Sequence, residues 1–288
     1  MPSVAFAKPY KLDDILRRSD KVFTLPHVAL RVMQVANDEK MSVADLKVVL
    51  EGDAPLSARI LRCVNSSAYA LRSRVANLQL AITYLGCKQV RNLAIAGSVH
   101  DKFAASEQIG SYNRPQLWRH LVSVGICARL LAMRLRLPNF EDAFLAGLLH
   151  DIGIIPEDQL CHDGFVQVMQ NVTETRTLAE VEREILGFDH MTLGEKFAAS
   201  WKMPDALRVA IRHHHNSLAY HGPESTIVQC VEVANMVCTM QGLSSIGINA
   251  LAPSRDLIGT LDLTKDDLIL LAGDTDRELQ QHTHLFTM

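Results

Sequence analysis

The sequence predicts an all-α protein on three observations. Apolar residues recur three and four apart through most of the chain. Helix-start and helix-stop residues bracket those runs, and no stretch alternates apolar and polar as a half-buried strand would. The first run, LPHVALRVMQVAND, places Val28, Val32 and Val35 on one face with Pro26 near its first turn. Ser42 and Asp45 have the spacing of a capping box ahead of Leu46, Val49 and Leu50. Asp53 and Pro55 open the next helix, through Leu56, Ile60, Leu61 and Val64. Asn77 caps NLQLAITYLG, which Gly86 closes, and a further helix carries Val90, Leu93 and Ala94 towards Phe103. A polar, turn-forming break follows at ASEQIGSYNRP. Pro115 then opens a long apolar helix through Leu121, Val124 and Leu131, and Asn139 starts NFEDAFLAGLLHDIG. Thr177 with Glu180 caps TLAEVEREILG, Pro204 starts PDALRVAIRHHH, and Pro223 to Met240 holds one more apolar helix. After Gly242 a loop precedes short helices near Thr264 and Asp276, and no self-similar repeat is visible. The break divides the chain into an N-terminal helical part, residues 1–112, and a His-rich C-terminal part, residues 113–288.

Composition narrows the function classes. With 288 residues, 48% hydrophobic and 21% charged, the chain has ample apolar surface for a core, so disorder is excluded for its bulk. A formal net charge of -3 gives no general attraction to phosphate backbones, so nucleic acid is not an expected partner. Arg59, Arg62, Arg72 and Arg74, with Lys88 and Arg91, could form a local basic face, although such runs are usually solvated surface. The N-terminus, MPSVAFAKPYKLDDILRR, lacks the pattern of a secretory signal. The longest apolar stretch, Leu121 to Leu137, is cut by Arg129, Arg134 and Arg136, which excludes a membrane span. Cys63, Cys87, Cys127, Cys161, Cys230 and Cys238 form no CxxC pair and read as reduced core cysteines of a cytoplasmic protein.

The informative residues are among the 12 histidines. Three His-Asp dipeptides occur. His100-Asp101 and His162-Asp163 lie among polar residues and read as solvated surface pairs. His150-Asp151 differs, because it ends the apolar run AFLAGLLH, and two ionisable groups there must be satisfied by something. A histidine bonded to backbone and an aspartate capping the next turn would do so; so would a metal, since imidazole nitrogen with carboxylate oxygen suits Zn, Mn, Fe or Ni. His120 in WRHL, His190 in FDHMTLGE and the run His213, His214, His215 add further nitrogen donors. Consecutive helix residues point about 100° apart, so at most two of that run can face one point.

These phrases carry a resemblance. The N-terminal segments DAPLSARILR, VNSSAY and AITYLG, and the C-terminal LWRHLVSVGICARLLA, DAFLAGLLHDIG, GFDHMTLGEKFAASWKMP and AIRHHHN, resemble the HDOD subgroup of the HD superfamily of metal-dependent phosphohydrolases, over roughly residues 20–240. The resemblance implies a helical fold in which an N-terminal subdomain packs on an HD-like subdomain. It also implies a metal-ligand set: His120, His150 and Asp151 match the first three ligands of HD phosphohydrolases, and their later Asp falls at Asn235. The further His and the His-His pair of related cyclic-dinucleotide phosphodiesterases match His190, His214 and His215. Departures accompany the matches: Ile154 stands where those phosphodiesterases close HDIGK with Lys, and NSLAYHGP replaces their Gly-Tyr-Pro signature. The implied function is therefore a bacterial signal-transduction module, a degenerate phosphohydrolase that binds a signalling protein or small signal. The alternative is an active metal-dependent phosphohydrolase or cyclic-dinucleotide phosphodiesterase. The implied cofactor is a divalent Fe, Mn, Zn or Ni ion, or no metal if the site is vestigial.

Overall fold

Local capping chemistry sets the helix starts. In the computed structural model, which describes residues 10–19, 25–38, 40, 42–66, 69, 73–103, 108–247 and 254–282, no named strand occurs among the described residues, which hold two isolated bridges, Ile109–Tyr112 and Thr173–Arg176. The N-terminal helices are α1 (Leu12–Ser19), α2 (His27–Asn37), α3 (Val43–Glu51), α4 (Ala54–Val64), α5 (Leu78–Leu85) and α6 (Cys87–His100). Ser42 and Asp45 form the predicted capping box of α3, Asp53 accepts from the Leu56 amide to start α4, and Asn77 does the same for α5 through Leu80. Gly86 ends α5 at φ 83, a left-handed backbone that glycine adopts without penalty. α6 packs on α2, α4 and α8, while α1 lies against α9 and α12.

The C-terminal helices are α7 (Arg114–Arg134), α8 (Phe140–Leu149), α9 (Ile154–Leu160), α10 (His162–Asn171), α11 (Leu178–Ile185), α12 (His190–Ser200), α13 (Asp205–His213), α14 (Ser225–Met240), α15 (Arg255–Thr260) and α16 (Lys265–Gln281). Asn113, Thr177 and Asp189 cap α7, α11 and α12 with their side chains, whereas Asn139 makes no such bond at α8. α7 is the central helix: α8, α14 and α16 all pack on it. Its face carries Leu121, Val124, Cys127 and Leu131 into the core, all within 1% of complete burial. No helix of the described residues is long and apolar enough to cross a membrane.

Several expectations are corrected. One 17-residue helix, α16, capped by Thr264 and running through Asp276, stands where two short helices are expected; the Thr264–Asp267 capping box starts it and it continues through Gly273. Leu61 is half-buried, although α4 otherwise turns Leu56, Ile60 and Val64 inwards as predicted. All six cysteines are free, but Cys87 is half-buried, since it opens α6 at the surface. His162-Asp163 is exposed as expected, whereas His100 sets its ring edge-on against Trp118 at 5.5 Å. Of the expected basic run, Arg91 is 1% exposed and paired with Asp142, Lys88 pairs with the same carboxylate and Arg59 pairs with Asp101, while Arg62 and Arg74 are exposed. Arg72 lies outside the described residues.

Candidate metal centre

Four helices deliver ligand-type side chains to one point inside the C-terminal half. His120 comes from the second turn of α7, His150 and Asp151 from the end of α8, His190 from the first residue of α12, and His214 and His215 from the end of α13. Two close backbone contacts make this convergence possible. α7 and α8 cross at Gly125 and Gly147, where a Cβ on Gly147 would stand 2.8 Å from the Gly125 Cα. After the dipeptide, Gly153 meets the start of α12 so closely that a Cβ would lie 2.0 Å from the His190 carbonyl oxygen. Glycine at these points lets the backbones approach and so sets the spacing of the rings.

The rings are held by their far nitrogens. The Nδ1–H of His120 donates to the Leu243 carbonyl at 2.6 Å, that of His150 to Gly147 at 2.7 Å, and that of His214 to Ile211 at 2.9 Å. A carbonyl can only accept, so each of these rings carries a hydrogen on Nδ1 and turns its Nε2 inwards. His190 is braced differently: Glu182 Oε2 accepts from its Nδ1 at 2.7 Å and from its backbone N–H at 3.0 Å. The inward nitrogens then surround one carboxylate. His190 and His214 stand 3.3 and 3.0 Å from Asp151 Oδ1, and His150 and His120 stand 3.3 and 3.7 Å from Oδ2. They also face one another, His120 Nε2 to His150 Nε2 at 3.3 Å and His190 Nε2 to His214 Nε2 at 3.4 Å.

Imidazole nitrogens gathered around an anion and facing each other are an arrangement that a cation completes. Asp151 Oδ1 has no hydrogen-bond partner, although it is buried. Two donor groups result, Asp151 with His190, His214 and His215, and Asp151 with His120 and His150. The set contains nitrogen and oxygen but no thiolate, so it fits a borderline divalent metal such as Zn, Mn, Fe or Ni. The Nδ1 bonds are the outer contacts that orient metal-binding imidazoles. Asn235 sits on α14, 3% exposed, with its Oδ1 accepting from Thr239 at 3.3 Å. His213 turns away, stacking near Tyr220 at 5.3 Å, so two of the three consecutive histidines face the cage.

Titration follows from this geometry. Burial, reinforced by the neighbouring ring His150, pushes His120 down to about 4. Burial likewise brings His214 to about 4. Burial alone would also lower His190, but the charges of Glu182 and Asp151 overturn it and hold the imidazole well above its usual value. Burial alone would raise Asp151; the surrounding imidazoles, His150 first, hold it well below the usual carboxylate range. Glu157, completely buried behind Glu182, is driven well above the carboxyl range by burial and then by Glu182, and it keeps its proton. Reading the sequence for ligands passes over Glu182 and Glu157. Each nevertheless leaves a signal, an acidic residue on an apolar helical stripe: Glu182 among Leu178, Val181 and Ile185, and Glu157 between Ile154 and Leu160.

A cavity of about 970 Å³ opens onto the cage through His214, His215 and Asn235. Arg183 and Arg212 line its wall, both reaching Asp189, at 2.7 and 3.7 Å. Met191, Met236 and Leu257 give it apolar patches.

Residues 22–217 match the HDOD domain family. A candidate signal transduction protein from Marinobacter aquaeolei VT8 superposes with a TM-score of 0.76 at 24% identity, covering 99% of this chain and 62% of that one. A candidate phosphohydrolase from Shewanella amazonensis SB2B superposes with a TM-score of 0.73 at 24% identity, covering 95% of this chain and 97% of that one. An uncharacterized protein of Treponema pallidum (strain Nichols) is 23% identical over 230 residues, 77% of this chain; the chain spans 43% of the length of that relative.

Proposed function

Since the chain belongs to the HDOD domain family, we propose that it is a signal-transduction module whose buried His–Asp cage, formed by His120, His150, Asp151, His190, His214 and His215, holds a divalent transition metal without turning over a phosphoester. One observation carries the reading: the inward nitrogens of four imidazoles are directed at a single buried carboxylate whose Oδ1 has no hydrogen-bond partner. Burying so many donor atoms without a cation is costly, and the anchored Nδ1 atoms leave the rings no other partner to turn towards.

A metal bound in this cage would supply a Lewis acid able to polarise a phosphoryl oxygen and acidify water. The chain's own residues give that chemistry little support. Asp151 is the one carboxylate in either donor group, and Asn235, one of four α14 residues lining the cavity beside Glu232, Met236 and Thr239, is a neutral amide. Ile154, completely buried directly after the HDIG turn, supplies no cation to a phosphoryl group. In this reading the cage fixes the ends of α8 and α13 and the start of α12, and a signalling protein or small signal reads their arrangement through the adjoining cavity.

The cavity itself favours a second reading, an active metal-dependent phosphohydrolase. It gives a substrate a route to His214 and His215, and Arg183 and Arg212 stand in its wall.

Elemental analysis of the purified protein, paired with hydrolysis assays on bis(p-nitrophenyl) phosphate and cyclic dinucleotides, separates the two. Stoichiometric metal with no turnover supports the signalling module. Turnover that disappears in His150→Ala replaces it with the hydrolase. A protein that takes up no metal, even after loading with Zn, Mn, Fe and Ni, overturns both.

A further inference from the structure

We infer that Glu182 is the positioning residue that makes the His190–His214–His215 half of the cage a stronger metal site than the His120–His150 half; the inference rests on the metal-holding reading above. Donor number is the first argument. The His190 half brings three imidazoles to Asp151, whereas the His120 half brings two, and no further His, Cys, Asp or Glu among the described residues joins that group. Four donors complete the coordination of a tetrahedral ion and three leave it open.

The backing of the rings points the same way. His120 and His150 donate their Nδ1–H to neutral carbonyls, of Leu243 and Gly147. His190 donates to the carboxylate of Glu182, which is fully buried. A carboxylate behind an imidazole withdraws positive charge from the Nδ1–H and makes Nε2 the better electron donor, while a carbonyl does so weakly. Glu182 also accepts from the His190 backbone N–H, so a single side chain fixes both where α12 starts and where its first ring points. Glu157 lies against Glu182, and both carboxyl groups are completely buried. Two acids in so dry a place cost stability, and a role for Glu182 in ordering the ligand accounts for keeping it.

The test is a Co(II) titration of the chelator-stripped protein, residues 1–288, followed by calorimetry and by the visible d–d absorption of the bound ion. The expected wild-type result is one tight equivalent and a second, weaker one. His120→Ala is expected to keep the tight equivalent and its spectrum and to lose the weak one. Glu182→Gln is expected to weaken the tight equivalent by about 10–100-fold with a changed spectrum, and Glu182→Asp to recover part of the affinity. Circular dichroism checks that each variant is folded. Where Glu182→Gln is not, His215→Ala, at a half-buried position, takes its place and is expected to lose the tight equivalent. Two equal equivalents, or a tight equivalent that vanishes in His120→Ala and survives in Glu182→Gln or His215→Ala, overturns the inequality while leaving the metal-holding reading intact. A wild-type protein that binds no metal overturns that reading, and the inference with it.

Discussion

At the scale of single residues, the cage makes opposite demands on rings of the same type. His120 and His214, brought by burial to about 4, stay neutral in the fold and take up protons on unfolding at any pH between about 4 and 6.5. The unfolded chain therefore binds more protons in that window, and stability falls as pH drops through it. His190 behaves in reverse. Glu182 and Asp151 raise its pKa, so its contribution is complete below 6.5 and is lost as pH rises through the raised value. Metal-stripped protein should accordingly unfold at lower urea concentration near pH 4.5 than near pH 6.5, the two histidines outweighing Glu157, which holds its proton in the fold and gives it up on unfolding. A urea midpoint that is level or higher on the acid side would show that His120 and His214 are not held neutral. The apolar setting singles out His150 and Asp151 in the amino-acid sequence, while His120, His190, His214 and His215 are picked out as a set only by the HDOD resemblance. Their brace is only half legible: Glu182 stands out as an acid on the apolar stripe of α11, but nothing names His190, eight residues on, as its partner until that helix is seen packed on α12.

Elements extend this pattern: what a helix says about itself is readable, and what it needs from its neighbour is not. The Ser42, Asp53, Asn77 and Thr177 caps stand where the sequence places them, because capping is settled within one turn. The pairing of Gly125 with Gly147, and of Gly153 with the start of α12, is tertiary, and a lone glycine in an apolar helix gives no sign of which backbone it will touch. Substitution should show the difference. Leu148, completely buried between these contacts, should lose about 2–5 kcal/mol on replacement by alanine. Leu61→Ala should lose less, since Leu61 is half-buried. Chemical denaturation of the two variants tests the ranking, and an equal loss would contradict the packing described for α4. Gly153→Ala asks a sharper question. Its Cβ would lie 2.0 Å from the His190 carbonyl, so α12 must move away from Asp151. The expected outcome is a protein of unchanged helix content that binds metal at least tenfold more weakly; unaltered affinity would mean that ring placement does not depend on this contact.

For the molecule as a whole, the cage is also a fastening. Its donors come from α7, α8, α12 and α13, helices separated by up to 95 positions between His120 and His215, and no unfolded chain holds them together. α8 is the member that reaches furthest, since its N-terminal end is gripped by the N-terminal helices while its C-terminal end delivers His150 and Asp151. Arg91 on α6, 1% exposed, pairs with Asp142 at 2.8 Å, and the Asn92 amide donates to the Glu141 carboxylate at 2.7 Å. The sequence shows Arg91 only as one more cation in a basic run, because its partners lie some fifty residues away. A metal that binds the folded state alone stabilises it by RT ln(1 + [L]/Kd), about 2.7 kcal/mol at a hundredfold excess over Kd. For a domain of this size that corresponds to roughly 5–10 °C in melting temperature. Stripping the ion with a chelator, verified by elemental analysis, should therefore lower the melting temperature by about that amount, and readdition should restore it. The same treatment of Asp151→Asn should move its melting temperature by much less, because the carboxylate common to both donor groups is already gone. A wild-type melting temperature indifferent to proven metal loss would show that the four helices hold their places without the ion, and that the cage is a remnant the fold no longer uses.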